Sequence, residues 1–265
     1  MPRRIVTLTT DFGLSDHFAG TIKGVILSLA GNVELVDLTH EVDAFQIAGA
    51  AFDIAAAYRY FPKKTVHVVV VDPGVGTARR PILVEAAGQF FVAPDNGVLS
   101  MILAREKHTV RAITERKFFR DPVSETFHGR DVFAPVAGHL AQGVPAARFG
   151  KIVTDYCRLD FFQPVLTGER TWRGAVLKAD RFGNLITNFH IAEFPAIRTR
   201  AFSLRCGVAE ITKLARTFAD GKPGEPCLIA GSSGYLEIAV NRNSAAERLA
   251  CGAGAPVELT IDFSL

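Results

Sequence analysis

The periodicity of apolar positions changes repeatedly along the first part of the chain. Ile5–Thr9 reads as a buried strand. Phe18, Ile22, Val25, Ile26 and Leu29 then fall at helical spacing, with Ser15 or Asp16 placed to cap them. Val33–Leu38 is a second strand, and Ala44–Tyr58 an alanine-rich helix with Ile47, Ala51, Ile54 and Tyr58 on one face. His67–Val71 is a continuous β-branched run, the pattern of a parallel strand covered on both faces. Ile82–Ala86 and Phe90–Ala93 follow as short strands, Val98–Ala104 and Val132–Gln142 as helices. This alternation predicts an α/β layer around a mostly parallel sheet.

From Val144 to Thr171 the rhythm lapses among prolines and glycines, which predicts a connector. Strand signals dominate beyond it: Gly174–Ala179, Asn184–Phe189, Phe202–Cys206, Pro226–Ala230, Tyr235–Val240 and Pro256–Ile261. They predict a smaller, barrel-like β domain. The expected division is an α/β domain over residues 1–165 and a β-rich domain over residues 166–265.

Composition refines this picture only at a few points. With 48% hydrophobic and 22% charged residues, a disordered chain is not expected. A net charge of +3 spread over well-mixed acids and bases leaves no basic stripe, so nucleic acid is not an expected partner. Cys157, Cys206, Cys227 and Cys251 form no CxxC pair and stand near no histidine cluster. Reduced thiols are expected rather than a zinc site. The start, Met1–Ile5, carries two arginines but no apolar segment or small-residue cleavage site, and the apolar runs are strand-sized. The expectation is a soluble, cytoplasmic protein with no signal peptide and no membrane span.

Candidate chemistry lies in loops after strands, where open parallel sheets bind ligands. In Thr9-Thr10-Asp11-Phe12-Gly13 a carboxylate leaves a strand end. It suits a ribose diol, and equally a turn or cap. In Val71-Asp72-Pro73-Gly74-Val75-Gly76-Thr77-Ala78-Arg79-Arg80 the GK[ST] ending of a P-loop is absent and no helix follows. The glycines allow Arg79 or Arg80 to fold back on Asp72, as a structural ion pair or as part of a site. Thr126-Phe127-His128-Gly129-Arg130-Asp131 precedes an apolar helix, and a histidine such as His128 can accept or donate a proton near neutral pH, or stand as a surface or hydrogen-bonded bystander. In the second domain, Asp180-Arg181-Phe182-Gly183-Asn184-Leu185-Ile186-Thr187-Asn188 joins two strands, and Asn184 or Asn188 suits an adenine edge or an amino acid. Gly231-Ser232-Ser233-Gly234-Tyr235-Leu236-Glu237 offers hydroxyls and a carboxylate on one hairpin.

In order and spacing these segments, with Ala93-Pro94-Asp95-Asn96-Gly97, resemble the S-adenosylmethionine (SAM) hydroxide adenosyltransferase family, relatives of the SAM-dependent fluorinase and chlorinase. The resemblance spans nearly the whole chain. It implies that SAM and water give adenosine and methionine, with no cofactor, and that the protein is a homotrimer whose sites join one subunit's first domain to a neighbour's second. The family's water-activating set carries over to Asp72, Arg79 and His128, with Arg80 the neighbour that competes for the second role. The same resemblance implies that Asp11 holds the ribose hydroxyls and that Phe45 and Phe127 pack on the nucleoside. Asn184 or Asn188, Ser232, Glu237 and the Val240 backbone would surround the adenine and methionine ends. Asp180 falls near the family's methionine-binding acid, in a turn one residue shorter than in the halogenating relatives.

Two departures bear on the nucleophile. The fluorinase pattern has a serine at the position of Gly129, and an aromatic residue with a long later insertion where this chain has Asp72 and the short turn from Ala86 to Gln89. A carboxylate beside the nucleophile repels halide and accepts a proton from water, so hydrolysis is the expected reaction. The alternatives are a SAM halogenase and a SAM or adenosine sensor without turnover. A glycine-rich loop of the kind an ordinary methyltransferase carries after its first strand is missing.

Overall fold

Both faces of the first strand, β1 (Arg4–Thr10), are covered: Val6, Thr7, Leu8, Thr9 and Thr10 are all fully buried in the computed structural model, which describes residues 3–262. The chain divides into two units between Leu159 and Asp160. In the first, β1 leads through α1 (Phe18–Leu29) to β2 (Val33–Thr39), and through α2 (Ile47–Ala57) to β3 (Val66–Val70). A loop then leads to the hairpin β4 (Pro81–Ala86) and β5 (Gln89–Pro94), followed by α3 (Ser100–Arg105), β6 (His108–Ala112) and α4 (Ala134–Gln142). The sheet order is β2-β1-β3-β5-β4-β6, and β4 alone runs against the other strands. Helices α1 and α4 cover one face, burying Ile22, Ile26, Val136 and Leu140 against Val6, Leu8 and Val68. An added Cβ at Gly138 would sit 3.0 Å from Leu29, so glycine is what lets these two helices approach. No helix among the described residues is long and apolar enough to cross a membrane.

The second unit is a curled, mostly antiparallel half-barrel. It comprises β7 (Val165–Leu166), β8 (Thr171–Ala179), β9 (Leu185–His190), β10 (Phe202–Cys206), β11 (Ala209–Ile211), β12 (Leu214–Ala215), β13 (Pro226–Ala230), β14 (Tyr235–Val240), α5 (Ala245–Leu249) and β15 (Pro256–Ile261). Its core gathers Leu185, Phe189, Leu204, Leu228, Ile238 and Leu259. The α/β class with a β half-barrel agrees with the expectation.

Several local readings are corrected. Neither Ser15 nor Asp16 caps α1, whose N-cap position is His17 with no side-chain bond. The helix expected from Ala44 starts at Ile47, because Phe45 takes a left-handed φ of 68° and donates its N–H to Asp11 Oδ2 at 3.0 Å. The segment expected to open a helix at Val132 begins inside a short π-helix, Gly129–Phe133, ahead of α4. Strands β6, β7, β11 and β12 and helix α5 were not predicted: the strands are short, and their pairing partners make them strands more than their own patterns do.

Candidate active site

The valine run of β3 ends at the sheet's carboxyl edge, and Asp72 opens the loop beyond it. The loop tightens through bonds from Val75 N to Asp72 O (3.2 Å) and from Thr77 N to Gly74 O (3.2 Å). Gly76, at φ 77°, lies against the next segment so closely that an added Cβ would be 2.4 Å from the Glu125 carbonyl oxygen. This approach places His128 beside Arg79. The Arg79 Nε donates to Asp72 Oδ1 at 2.8 Å, Nη2 donates to Asp72 Oδ2, and Nη2 also reaches His128 Nδ1 at 2.8 Å. The Asp72 and Arg79 side chains are only 6% and 9% exposed. Arg80 turns the other way, to Asp95 and Asp155, so Arg79 is the arginine that closes on Asp72.

Guanidinium has no acceptor, so His128 Nδ1 must accept, which makes the ring neutral with its proton on Nε2. Burial, and then the Arg79 charge, lower the His128 pKa from its ordinary value, against smaller opposing effects of Asp72, Glu125 and Asp131. Arg79 lies over the Phe133 ring at 5.3 Å, and its Nη1 is buried with no hydrogen-bond partner among the described residues. A fixed carboxylate, an imidazole N–H and unused guanidinium hydrogens thus gather in one place. Such a group can hold and deprotonate a small polar molecule.

Asp11 leaves β1, the strand beside β3, and uses one oxygen to hold Phe45, itself 69% exposed. Phe127 meets Phe12 and Phe18 edge-on, with centroids 5.9 and 5.1 Å apart. An added Cβ at Gly129 would stand 3.2 Å from both the Phe12 and Phe127 rings. Fully buried Asp131 pins the segment by accepting from Ser124 N at 2.9 Å and from both Arg130 Nε and Nη2. A polar cavity of about 830 Å³ borders Gly76, Thr77 and His128. Another, of about 680 Å³, lies at the amino ends of the strands among Arg3, Arg4, Lys63 and Lys64, away from all these residues.

In the second unit Asp180 Oδ1 accepts from Phe182 N and Asn184 N at 2.9 and 2.8 Å, and its Oδ2 accepts from Asn184 Nδ2 at 2.8 Å. The turn presents Asn184 to a cavity of about 540 Å³ that Val240 also lines, with Phe182, Phe218, Arg242 and Asn243. Asn188 stands apart: its amide accepts from Ala175 N at 3.0 Å and donates to Phe161 O at 2.9 Å. Ser232 is at the exposed tip of the 231–234 turn, and the neighbouring Ser233 hydroxyl is buried without a partner among the described residues. Glu237 is buried under Gly231, and its pKa is raised by burial and then by the Asp180 charge. Sequence reasoning passed over Phe182, Phe218 and Arg242, which line this cavity. Phe182 stood inside a recognised segment, and a large apolar ring in a polar turn was its available signal. The left-handed φ of 56° at Arg242 had none.

An α/β unit with an Asp–Arg–His cluster at the carboxyl edge of its sheet, coupled in one chain to a β half-barrel with an aromatic-walled cavity, defines a small-molecule enzyme of two parts. The chain belongs to the SAM hydroxide adenosyltransferase family: the N-terminal domain of that family matches residues 6–150 and the C-terminal domain residues 174–258. It is 37% identical to the (R)-S-adenosyl-L-methionine hydrolase of Thermus thermophilus over 97% of this chain and 99% of that one. The hydrolase of the same name from Salinispora tropica is 36% identical over 98% of each. A fluorinase from Actinoplanes sp. is 27% identical over 97% of each. Among solved structures, a conserved protein from Thermotoga maritima superposes with a TM-score of 0.87 at 38% identity, covering 97% of this chain and 99% of that one.

Proposed function

We propose that this protein hydrolyses SAM to adenosine and L-methionine by in-line attack of water or hydroxide on the ribose 5′ carbon. The observation that carries the reading is the half-buried Asp72–Arg79–His128 cluster, in a chain whose near-full-length relatives bear the hydrolase name. Arg79 and the His128 Nε2–H orient the water, and Asp72 takes its proton. As the C5′–O bond forms the C5′–S bond breaks, and the sulfonium keeps the electron pair, leaving as a neutral thioether. No acid is needed on that side. The proton passes from Asp72 to solvent.

Asp11 is assigned the ribose hydroxyls, with Phe45 and Phe127 against the nucleoside. Asn184 and the Val240 backbone, in a cavity that Phe182 and Phe218 also line, suit a flat base. Asp180, Ser232 and Glu237 are assigned the amino-acid end. Free water is a very weak acid and a poor nucleophile near neutral pH. Positioning, worth roughly 7–11 kcal/mol at best, and a base worth about 10²–10⁴-fold must carry the rate, which suits a slow enzyme. The working form is a homotrimer in the cytoplasm, a reducing setting that fits four free thiols.

Fluorinase kinship favours a second reading, halide attack. Asp72 argues against it, since a carboxylate repels an anionic nucleophile. Incubation with SAM in oxygen-18 water, with and without chloride, decides. Label in the adenosine 5′ hydroxyl under both conditions is expected. A 5′-chlorinated nucleoside would replace this reading with the halogenase, and SAM binding without products would replace it with a sensor.

A further inference from the structure

The loop carrying Asp72 and Arg79 leaves β3 and enters β4, yet these strands are not neighbours, because β5 lies between them. The loop therefore arches over the carboxyl end of β5. The residues that follow β5 lie under the arch, and they are Asp95 and Asn96. Asn96 Nδ2 donates to the Val71 carbonyl at 2.8 Å, gripping the foot of the arch immediately before Asp72. Asn96 Oδ1 accepts from Val98 N at 3.1 Å, which fixes the amide's orientation. Asp95 grips the other foot. Its N–H bonds Arg80 O at 2.8 Å, extending the β4–β5 ladder beyond the Pro81–Pro94 pair. Its Oδ2 accepts from Arg80 Nε at 3.2 Å and Nη2 at 2.8 Å, and its Oδ1 accepts from Cys157 N at 2.7 Å. The Asp95 side chain is 6% exposed.

We propose that Asp95 and Asn96 are positioning residues for the reaction, clamping the two feet of the arch so that Asp72 and Arg79 meet in register and Arg79 reaches His128. Their significance for catalysis rests on the hydrolase reading; the clamp itself is readable without substrate. Side-chain direction is the reason two grips are needed. Adjacent Arg79 and Arg80 leave the chain in opposite senses, so holding Arg80 on Asp95 turns Arg79 towards Asp72.

The test uses full-length protein carrying Asn96→Ala, with the nearly isosteric Asp95→Asn as the second variant. Steady-state SAM hydrolysis should show kcat reduced about 10–100-fold with KM within about threefold for Asn96→Ala, because geometry at the reacting atoms is lost and not substrate affinity. Asp95→Asn should shift kcat the same way by less. The imidazole NMR titration of His128, recorded without SAM, reads the clamp directly. The charged groups around His128 are Arg79 and Asp72 from the arch, Glu125 and Asp131 from its own segment, and Arg116, Lys117, Arg120 and Asp121 around the bordering cavity. Asn96→Ala alters none of them, so a midpoint that rises towards the ordinary histidine value reports that the arch has loosened from His128, through lost cover or a withdrawn Arg79. A folded Asn96→Ala protein whose His128 titrates as in wild type overturns the proposal, whatever its activity. Should Asn96→Ala not fold, Asp95→Asn carries both measurements under the same criterion. Wild-type protein that releases no adenosine from SAM overturns the hydrolase reading alone.

Discussion

Arg79 has five hydrogens to donate and no lone pair, so its bond to His128 Nδ1 at 2.8 Å survives only while that nitrogen is unprotonated. Acid therefore breaks the cluster at a definable point. His128 is held below its ordinary 6.5 by burial and by Arg79, so it stays neutral until the pH falls under that value. Protonation then turns an acceptor into a donor facing a cation. The expected kcat/KM profile falls on the acid side with a midpoint below 6.5. The same sign applies to stability: below 6.5 the unfolded chain binds the proton first, so this residue's contribution fades as the pH drops through the folded value. A pH–rate profile with an acid limb at or above 6.5 would contradict the assigned tautomer.

At the scale of elements, the arch after β3 and the segment before α4 meet both at the Arg79–His128 bond and at Gly76, where backbone lies against backbone. Alanine there meets two obstacles: a left-handed φ of 77°, and a Cβ placed 2.4 Å from the Glu125 carbonyl oxygen. One segment must retreat, and His128 lies three residues beyond Glu125. A misplacement of roughly 1 Å can cost about 10²-fold in rate. Gly76→Ala should therefore lower kcat by about that factor while leaving KM for SAM nearly unchanged, as steady-state kinetics will measure. A wild-type kcat would remove the contact from the argument. The same element shows what was legible beforehand. The buried run of β3 and the existence of a polar loop after it follow from local pattern, which is why the sheet and the two-part class could be read. Which arginine turns inward could not, because the β4–β5 register, a non-local pairing, decides it. Likewise, nothing in Ala44–Gln46 reveals that Asp11 will take the Phe45 N–H and delay α2, and β6 becomes a strand through its pairing with β4. Asn184 and Asn188 looked interchangeable in sequence. A backbone amide in β8 and the carbonyl of Phe161 engage Asn188, and only Asn184 borders the cavity.

For the whole molecule, the chemistry is divided: the Asp72 cluster belongs to the first unit and the aromatic-walled cavity with Asn184 to the second. A proposed homotrimer with sites completed by a neighbour makes a prediction that a self-contained monomer does not. Asp72→Ala removes the proposed proton acceptor but leaves its own second unit intact. Asn184→Ala damages the second unit and leaves Asp72 in place. Each variant alone should be nearly inactive. Co-expressed in equal amounts and purified together, they assemble at random, and a site is whole when its first unit comes from the Asn184→Ala chain and its second from the Asp72→Ala chain. Each condition is met half the time, so about one quarter of wild-type activity should return under closed cyclic symmetry. Mixing the separately purified proteins without subunit exchange should return none. Activity that stays at the level of the single variants after co-expression, with mixed trimers present by mass spectrometry, would place both halves of each site within one chain.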